Sequence, residues 1–237
     1  MKNNSEEILK DYYSKKANDY DKLQLHENDE HHNALKLLLG LIINEDFRTV
    51  LDVGTGTGRA LLYLKNFLPD INYRGIEFIP ELREISISKG LSSEKIDLGD
   101  ARELPYPNNS FELVTAFGVL HHVANPLLVI DEMLRVSSRA IYISDHNIYG
   151  WGSTITKTAK QLLRTAFGQK GSGLILTGFR GYYITDYDGV FYPFSLCDYL
   201  PKLQQHSNIE FLFSTKGHTT NLYTQASHLA VLATKKT

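Results

Sequence analysis

Between Arg48 and Asp145, short β-branched apolar runs alternate with stretches whose apolar residues recur at helical spacing, and few architectures accommodate that rhythm. RTVLDVG (48–54), NYRGIEF (72–78), KIDLGD (95–100), FELVTAFGV (111–119) and RAIYISD (139–145) read as strands, near-continuously apolar where a sheet is buried on both faces. Between them, Ala60, Leu61, Leu64, Phe67 and Leu68 lie along one side of a helix that Pro69 stops. PELREISISK (80–89) carries Pro80 in its first turn and Gly90 after its end, and NPLLVIDEMLRV (125–136) starts at Asn125 and Pro126. Right-handed crossovers place such helices on both faces of a parallel sheet, so the pattern predicts an α/β, doubly wound fold. The last two runs, IEFLFSTKGH (209–218) and SHLAVLATKK (227–236), are joined by a connection too short for a helical crossover, so the last strand is expected to be antiparallel. The expected sheet is seven-stranded and mostly parallel.

The flanks are less regular. SEEILKDYYSKKANDYDKL (5–23) reads as a short helix or two capped by Ser5, and a further helix covers 29–44. After Asp145 come a basic amphipathic helix, GSTITKTAKQLLRTAFG (152–168), the loop-like QKGSGLILTGFRG (169–181) and the aromatic-rich GYYITDYDGVFYPF (181–194), then a helix in SLCDYLPKLQQH (195–206). The expected layout is one domain with a helical cap (1–46), a core (47–145), an insertion after the fifth strand (146–194) and a C-terminal helix with hairpin (195–237). A chain of 237 residues can bury such a core without staples. A formal net charge of −2 argues against nucleic acid as partner, and the single Cys197 excludes an intramolecular disulfide. MKNNSEEILKDYY lacks the apolar core of a signal peptide, and the longest apolar run, LLLGLII (37–43), is too short to span a bilayer. A cytoplasmic protein without stable membrane insertion is expected; the oligomeric state stays open.

The first strand runs into LDVGTGTGRA (51–60), where three glycines alternate with threonines before a helix begins. A glycine-rich turn between strand and helix, at the carboxyl edge of a parallel sheet, is where nucleotide-like ligands bind. The spacing Gly54, Gly56, Gly58 puts the third glycine one residue early for a dinucleotide fingerprint. It resembles instead the first motif of the class I S-adenosylmethionine-dependent methyltransferases, an acid followed by alternating glycines, which Asp52 to Gly58 match at every defined position. The resemblance covers roughly 12–145 and implies the Rossmann-like fold of that family, S-adenosyl-L-methionine as cofactor, and binding residues in Asp52, Gly54, Thr55, Gly56 and Gly58. It further implies that Glu77, with Phe78 beside it, takes the ribose hydroxyls, and a carboxylate suits two vicinal hydroxyls. Asp100 and Ala101 correspond to its adenine site, LPYPNNSFELV (104–114) to the lead into the fourth strand, and Phe117 and Gly118 to the backbone beside the methionine moiety. The glycines would admit the ligand, so Gly56→Val is expected to abolish cofactor binding.

Methyl transfer to a hydroxyl needs an aligned acceptor and a base. GVLHHVANP (118–126) puts His121 and His122 just past the fourth strand, and DHN (145–147) ends the fifth on the adjacent edge. In similar small-molecule and sugar O-methyltransferases the first such histidine and an acid after the fifth strand are candidate bases, which implies His121 as general base with Asp145 as its partner; His122 and His146 are alternatives. HENDEHH (26–32) lacks metal-ligand spacing and reads as a solvated polar turn, so no metal is expected. Cys197 reads as a core residue. Tyr12, Tyr13 and Tyr20 fold over the cofactor or simply pack.

In the insertion, Trp151, Phe179, Tyr182, Tyr183, Tyr187, Phe191, Tyr192 and Phe194 suit a pocket for sugar rings or flat acceptors, or else the apolar underside of a lid. Lys157, Lys160 and Arg164 fall at helical spacing, as a phosphate contact or as a solvated face. RVSSRAIY departs from the family by lacking a Pro-Gly-Gly turn before the fifth strand, with Ser137 and Ser138 in its place. The expectation is methylation of a hydroxyl on a small-molecule acceptor such as a sugar, glycolipid precursor or secondary metabolite. Carbon methylation of a quinone-like or polyketide acceptor, a noncatalytic cofactor-binding module and, disfavoured by the glycine spacing, a nicotinamide-dependent oxidoreductase are the alternatives.

Overall fold

A computed structural model describes residues 4–26 and 28–236; residues 1–3, 27 and 237, and with them Glu27 of the polar stretch and the ends of the expected cap and hairpin, lie outside it. The chain opens with helices α1 (Asn4–Lys16), α2 (Tyr20–Gln24) and α3 (Glu30–Glu45). Strands and helices then alternate: β1 (Thr49–Val53), α4 (Arg59–Phe67), β2 (Asn72–Glu77), α5 (Pro80–Ser88), β3 (Ile96–Leu98), β4 (Phe111–Phe117), α6 (Pro126–Val136) and β5 (Ser137–His146). The remainder is α7 (Thr154–Leu176), β6 (Tyr183–Thr185), β7 (Gly189–Phe191), α8 (Leu200–His206), β8 (Ser207–Ser214) and β9 (His228–Lys235).

Seven strands form one sheet in the order β3-β2-β1-β4-β5-β9-β8. The first five are parallel, and β9 runs antiparallel to both of its neighbours, β5 and β8. The chain winds outward in one direction through β1, β2 and β3 and in the other through β4 and β5, so the crevice between β1 and β4 is the topological switch point. Strand periodicity splits the core: Leu51, Val53, Val114, Ala116, Ile141 and Ile143 pack with α6 on one face, while Val50, Leu113, Ala140 and Tyr142 pack with α3 and α4 on the other. Helices thus cover both faces, which is why the strands read as unbroken apolar runs.

Four local expectations change. Ser5 lies inside α1 and does not cap it; its hydroxyl bonds the Tyr192 hydroxyl at 2.8 Å. The loop-like 169–176 is helical: α7 passes through a kink at Gly168, whose φ of 69° and ψ of −178° are non-helical. Glycine disfavours helix by about 1 kcal/mol, but contacts override it here, since Ser172 is fully buried and bonds the carbonyl of Gln169. The segment around Cys197 is a 3-10 turn (Leu196–Tyr199) before α8, which takes Pro201 in its first turn, and Cys197 packs half-buried against the core. Lastly, β6 and β7 pair as a small antiparallel ribbon within the insertion, with Asp186, Tyr187 and Asp188 at its turn. Among the described residues no helix is long and apolar enough to cross a membrane.

Candidate functional site

A cavity of about 180 Å³ opens at the carboxyl ends of β1 and β4, under α1. Its floor is the glycine turn. Gly54 adopts a φ of 71°, and a Cβ there would stand 2.5 Å from Cγ2 of Val119, so both conformation and space demand glycine. Gly56 also lies in the left-handed region, at 57°, but a Cβ would meet the Tyr20 hydroxyl at 3.8 Å and the Gly54 carbonyl oxygen at 4.0 Å, both ordinary contacts. Glu77, at the end of β2, is buried and accepts from the backbone N–H groups of Gly56 (2.7 Å), Phe78 (2.9 Å) and Ile79 (2.8 Å). Burial raises its pKa against those three donors. Asp52 is buried at the end of β1 and accepts from Thr115 Oγ1 at 2.7 Å; burial, reinforced by the Glu77 charge, pushes it up to about 7 despite the Thr115 bond and Arg59. Such a carboxyl is poised to ionise when a cation arrives.

Gly54, Gly56, Glu77, Phe78, Asp100, Ala101, Phe117 and Gly118 all line the cavity. Asp52 and Thr55 line an adjoining hollow that shares Gly54, Gly56 and Phe117 with it, and Gly58, the residue before α4, lines neither. Asp100 is not free: Arg102 grips its carboxylate through Nε and Nη2 (2.6 Å) and through its own backbone N–H, while Nη1 reaches Glu6 on α1. Burial opposes ionisation of Asp100, but the Arg102 hydrogen bonds outweigh it and hold the pKa low.

A second part of the lining, a wall of side chains, is polar and made of parts distant in sequence. His122, Tyr13, Asp188 and His31 line it. The His122 Nδ1 lies 2.6 Å from the Val190 carbonyl, which can only accept, so the ring carries its proton there and turns Nε2 toward the Tyr13 hydroxyl at 3.0 Å. Tyr13 also reaches Oδ1 of Asp188 at 3.4 Å. His31 sits on α3 with Nδ1 3.0 Å from Ser144 Oγ; burial and the Arg59 charge push its pKa down to about 4. The stretch read as a solvated turn is therefore structured and reaches the cavity lining. Asp29 caps α3 by accepting from the His32 N–H and pairs with Arg59, Glu30 pairs with His228, and His31 faces the cavity. One signal for this was present: His31 shares the helical stripe of Leu35, Leu38 and Ile42, which is the buried face of α3.

His121 stands behind that wall and does not line the cavity. Its Nδ1 lies 2.6 Å from Oδ1 of Asp145, and its Nε2 is 3.2 Å from Oδ2 of Asp188 without meeting hydrogen-bond geometry. Burial alone would lower its pKa, but the two carboxylates win and hold it at about 10. The histidine expected as general base thus lies outside the cavity lining, where its neighbour His122 takes the exposed place. Asp145 is fully buried, accepts from the N–H groups of Leu120 and His146, and likewise meets no ligand. His146 stacks on His121 at 3.9 Å and against Trp151; burial and the His121 charge drive its pKa well down.

The aromatic residues of the insertion, which suited either a pocket or the apolar underside of a lid, lie away from this cavity. None of the eight aromatic residues singled out in the insertion's sequence lines the cavity. Phe194 is buried in the core against Tyr199, Tyr183 stacks on Phe191, and Phe179 and Tyr187 are 78% and 76% exposed. Asp188 is the insertion's contribution to the wall. Nor do the cations of α7 point at a ligand: Lys160 donates to the carbonyls of Ile148 and Trp151, Lys157 to that of Gln225, and Arg164 pairs with Asp198 at 2.9 Å.

Residues 51–140 match the family described as methyltransferase domain. Over 108 residues the chain is 34% identical to ajmaline N-methyltransferase of Rauvolfia serpentina, which covers 42% of this chain and 36% of that protein. Over 75 residues it is 40% identical to demethylmenaquinone methyltransferase of Deinococcus radiodurans, covering 30% and 31%. The chain thus spans about a third of the length of these curated relatives. In fold it is similar to magnesium protoporphyrin IX methyltransferase of Synechocystis with bound SAH, at a TM-score of 0.66 and 13% identity over 98% of this chain and 100% of that one.

Proposed function

We propose that this chain, whose residues 51–140 match the methyltransferase domain family, is a class I S-adenosylmethionine-dependent methyltransferase that methylates a hydroxyl of a small-molecule acceptor held against the His122, Tyr13 and Asp188 wall. The observation that carries the proposal is one cavity lined both by the glycine turn, Glu77 and Asp100 and by an imidazole, a phenol and a carboxylate. S-adenosylmethionine supplies a methyl group already activated as a sulfonium. The protein's share is alignment, exclusion of water and handling of the acceptor's proton.

In this reading Asp52 and the backbone at Phe117 and Gly118 hold the methionine end. The ligand's ammonium offers the counter-charge that a carboxyl with a pKa of about 7 lacks. Glu77, which has already ordered the glycine turn, has one lone pair left on the oxygen bonded to Gly56 for a ribose hydroxyl. Asp100 and Ala101 face the adenine, with Asp100 held in place by Arg102. His122 and Tyr13 meet the acceptor, and His121 and Asp145 position them from behind.

Thermal unfolding with ligand tests this, since a ligand that binds only the folded state raises the midpoint by mass action. S-adenosylmethionine and S-adenosylhomocysteine are expected to raise it and NAD to leave it unmoved. A shift with NAD alone would defeat the proposal.

A further inference from the structure

The side-chain wall of the cavity contains an arrangement that acid–base chemistry leaves unexplained. His121 and His122 are adjacent in sequence, yet each has its Nδ1 committed to an oxygen 2.6 Å away, Asp145 Oδ1 for one and the Val190 carbonyl for the other. Both rings therefore turn Nε2 the same way, toward the carboxylate of Asp188, at 3.2 and 3.5 Å. The three potential donor atoms lie within 4.8 Å of one another. The His121 Nε2 is buried, its side chain 3% exposed, and without a hydrogen-bond partner.

We propose that His121 Nε2, His122 Nε2 and Asp188 form a binding site for a first-row transition-metal dication. Histidine ligands in metal sites characteristically donate their second ring N–H to a carboxylate or a backbone carbonyl, which fixes the tautomer and raises ligand basicity. Here one histidine uses each kind of partner. Two imidazoles and one carboxylate suit zinc, iron, cobalt or nickel; the hard-oxygen sets that hold magnesium and calcium are different.

Charge supports the same assignment. With neutral imidazoles, Asp145 and Asp188 leave two negative charges beside a buried ring; one proton on His121 cancels one of them, a dication cancels both. His122 and Asp188 also line the cavity, so the open side of the ion would face the bound acceptor, as catalytic metal sites require. The role toward the acceptor rests on the proposed methyl transfer; the binding of the ion does not.

Co²⁺ titrated into the untagged chain without S-adenosylmethionine tests the site by its ligand-field absorption. One equivalent per chain is expected to saturate, with His122→Gln and Asp188→Asn each weakening the binding by about 100-fold or more and Asp145→Asn by roughly 10- to 100-fold. Circular dichroism and cooperative thermal unfolding of the same variants show that they are folded, and if one does not fold, the other carries the test. No saturable binding by the unsubstituted chain overturns the site, as does cobalt binding unchanged in the folded variants. Because no cofactor is present, a failure here leaves the proposed methyl transfer standing, and failure of cofactor binding leaves the metal result intact.

Discussion

The glycine-turn wall and the histidine wall line one cavity, yet they are made differently. The first is nearly all backbone and local: Gly54, Gly56 and Glu77 lie on consecutive strand ends, and Glu77 holds the turn through hydrogen bonds to main-chain N–H groups. The second is nearly all side chain and remote: Tyr13 comes from α1, His31 from α3, His122 from the turn after β4, and Asp188 from the tip of the β6–β7 ribbon. A wall of backbone tolerates little variation in conformation but much in its neighbours. A wall of side chains can change one residue at a time, which is how one fold serves different acceptors.

That contrast breaks most visibly at Gly54. Placing valine there puts a β-branched residue at positive φ and a Cβ against Val119, together about 2 to 4 kcal/mol. Denaturant unfolding should register the loss and calorimetry should find no S-adenosylmethionine binding. The milder Gly56→Ala is expected to cost only about 1 to 2 kcal/mol of left-handed strain, because its Cβ would make no contact closer than 3.8 Å. The order of the two substitutions is the point: if Gly56→Ala proves the more damaging, the turn is not shaped as described.

The next effect is on pH. The folded-state pKa of Asp52 is raised to about 7, so the unliganded protein holds a proton there and loses that stabilisation as pH rises from about 4 to 7. A cationic ligand needs the carboxylate, so its affinity moves the opposite way, weakening about tenfold per unit below pH 7 and levelling above it. Calorimetry in buffers of different ionisation enthalpy should detect proton release at pH 6, absent in Asp52→Asn. Glu77 and Arg59, the charged groups that bear on Asp52, keep their places in that variant.

The smallest effect sharpens the comparison from the far side. Phe179→Ala and Tyr187→Ala remove the most exposed aromatics of the insertion and should change stability by less than about 0.5 kcal/mol, with cofactor affinity untouched. A large change in acceptor KM from either would extend the acceptor wall beyond Asp188.

How much of this was legible follows the same division. The alternation of strands and helices and the antiparallel end of the sheet follow from periodicity, and the glycine turn from one contiguous motif, because 51–60 encodes its own turn, whereas Glu77, Asp100 and Phe117 were reached only through family resemblance. The histidine wall was half visible. His122 is in the expected place, but which of two adjacent histidines faces the cavity depends on the 3-10 turn at Leu120–His122, and no local rule settles that. Asp188 was hidden among aromatics that drew attention by their number, and His31 among charged neighbours that looked solvated. The helix through Gly171 and Gly173 was unreadable for a related reason: the packing of Ser172 and its neighbours reverses what glycine prefers on its own.

Helix α1 meets partners far along the chain: Glu6 pairs with Arg102, Tyr13 with His122, Tyr12 with the carbonyl of Asp186 and Ser5 with Tyr192, the last across 187 positions. Ribosomes add about 5 to 20 residues per second, so α1 waits roughly 10 to 40 s after its own synthesis before Tyr192 exists to receive it. During that interval the helix has no completed surface to rest on. The segment made early is therefore among the last to be seated, and the cavity it roofs is finished only when the tail of the insertion has left the ribosome.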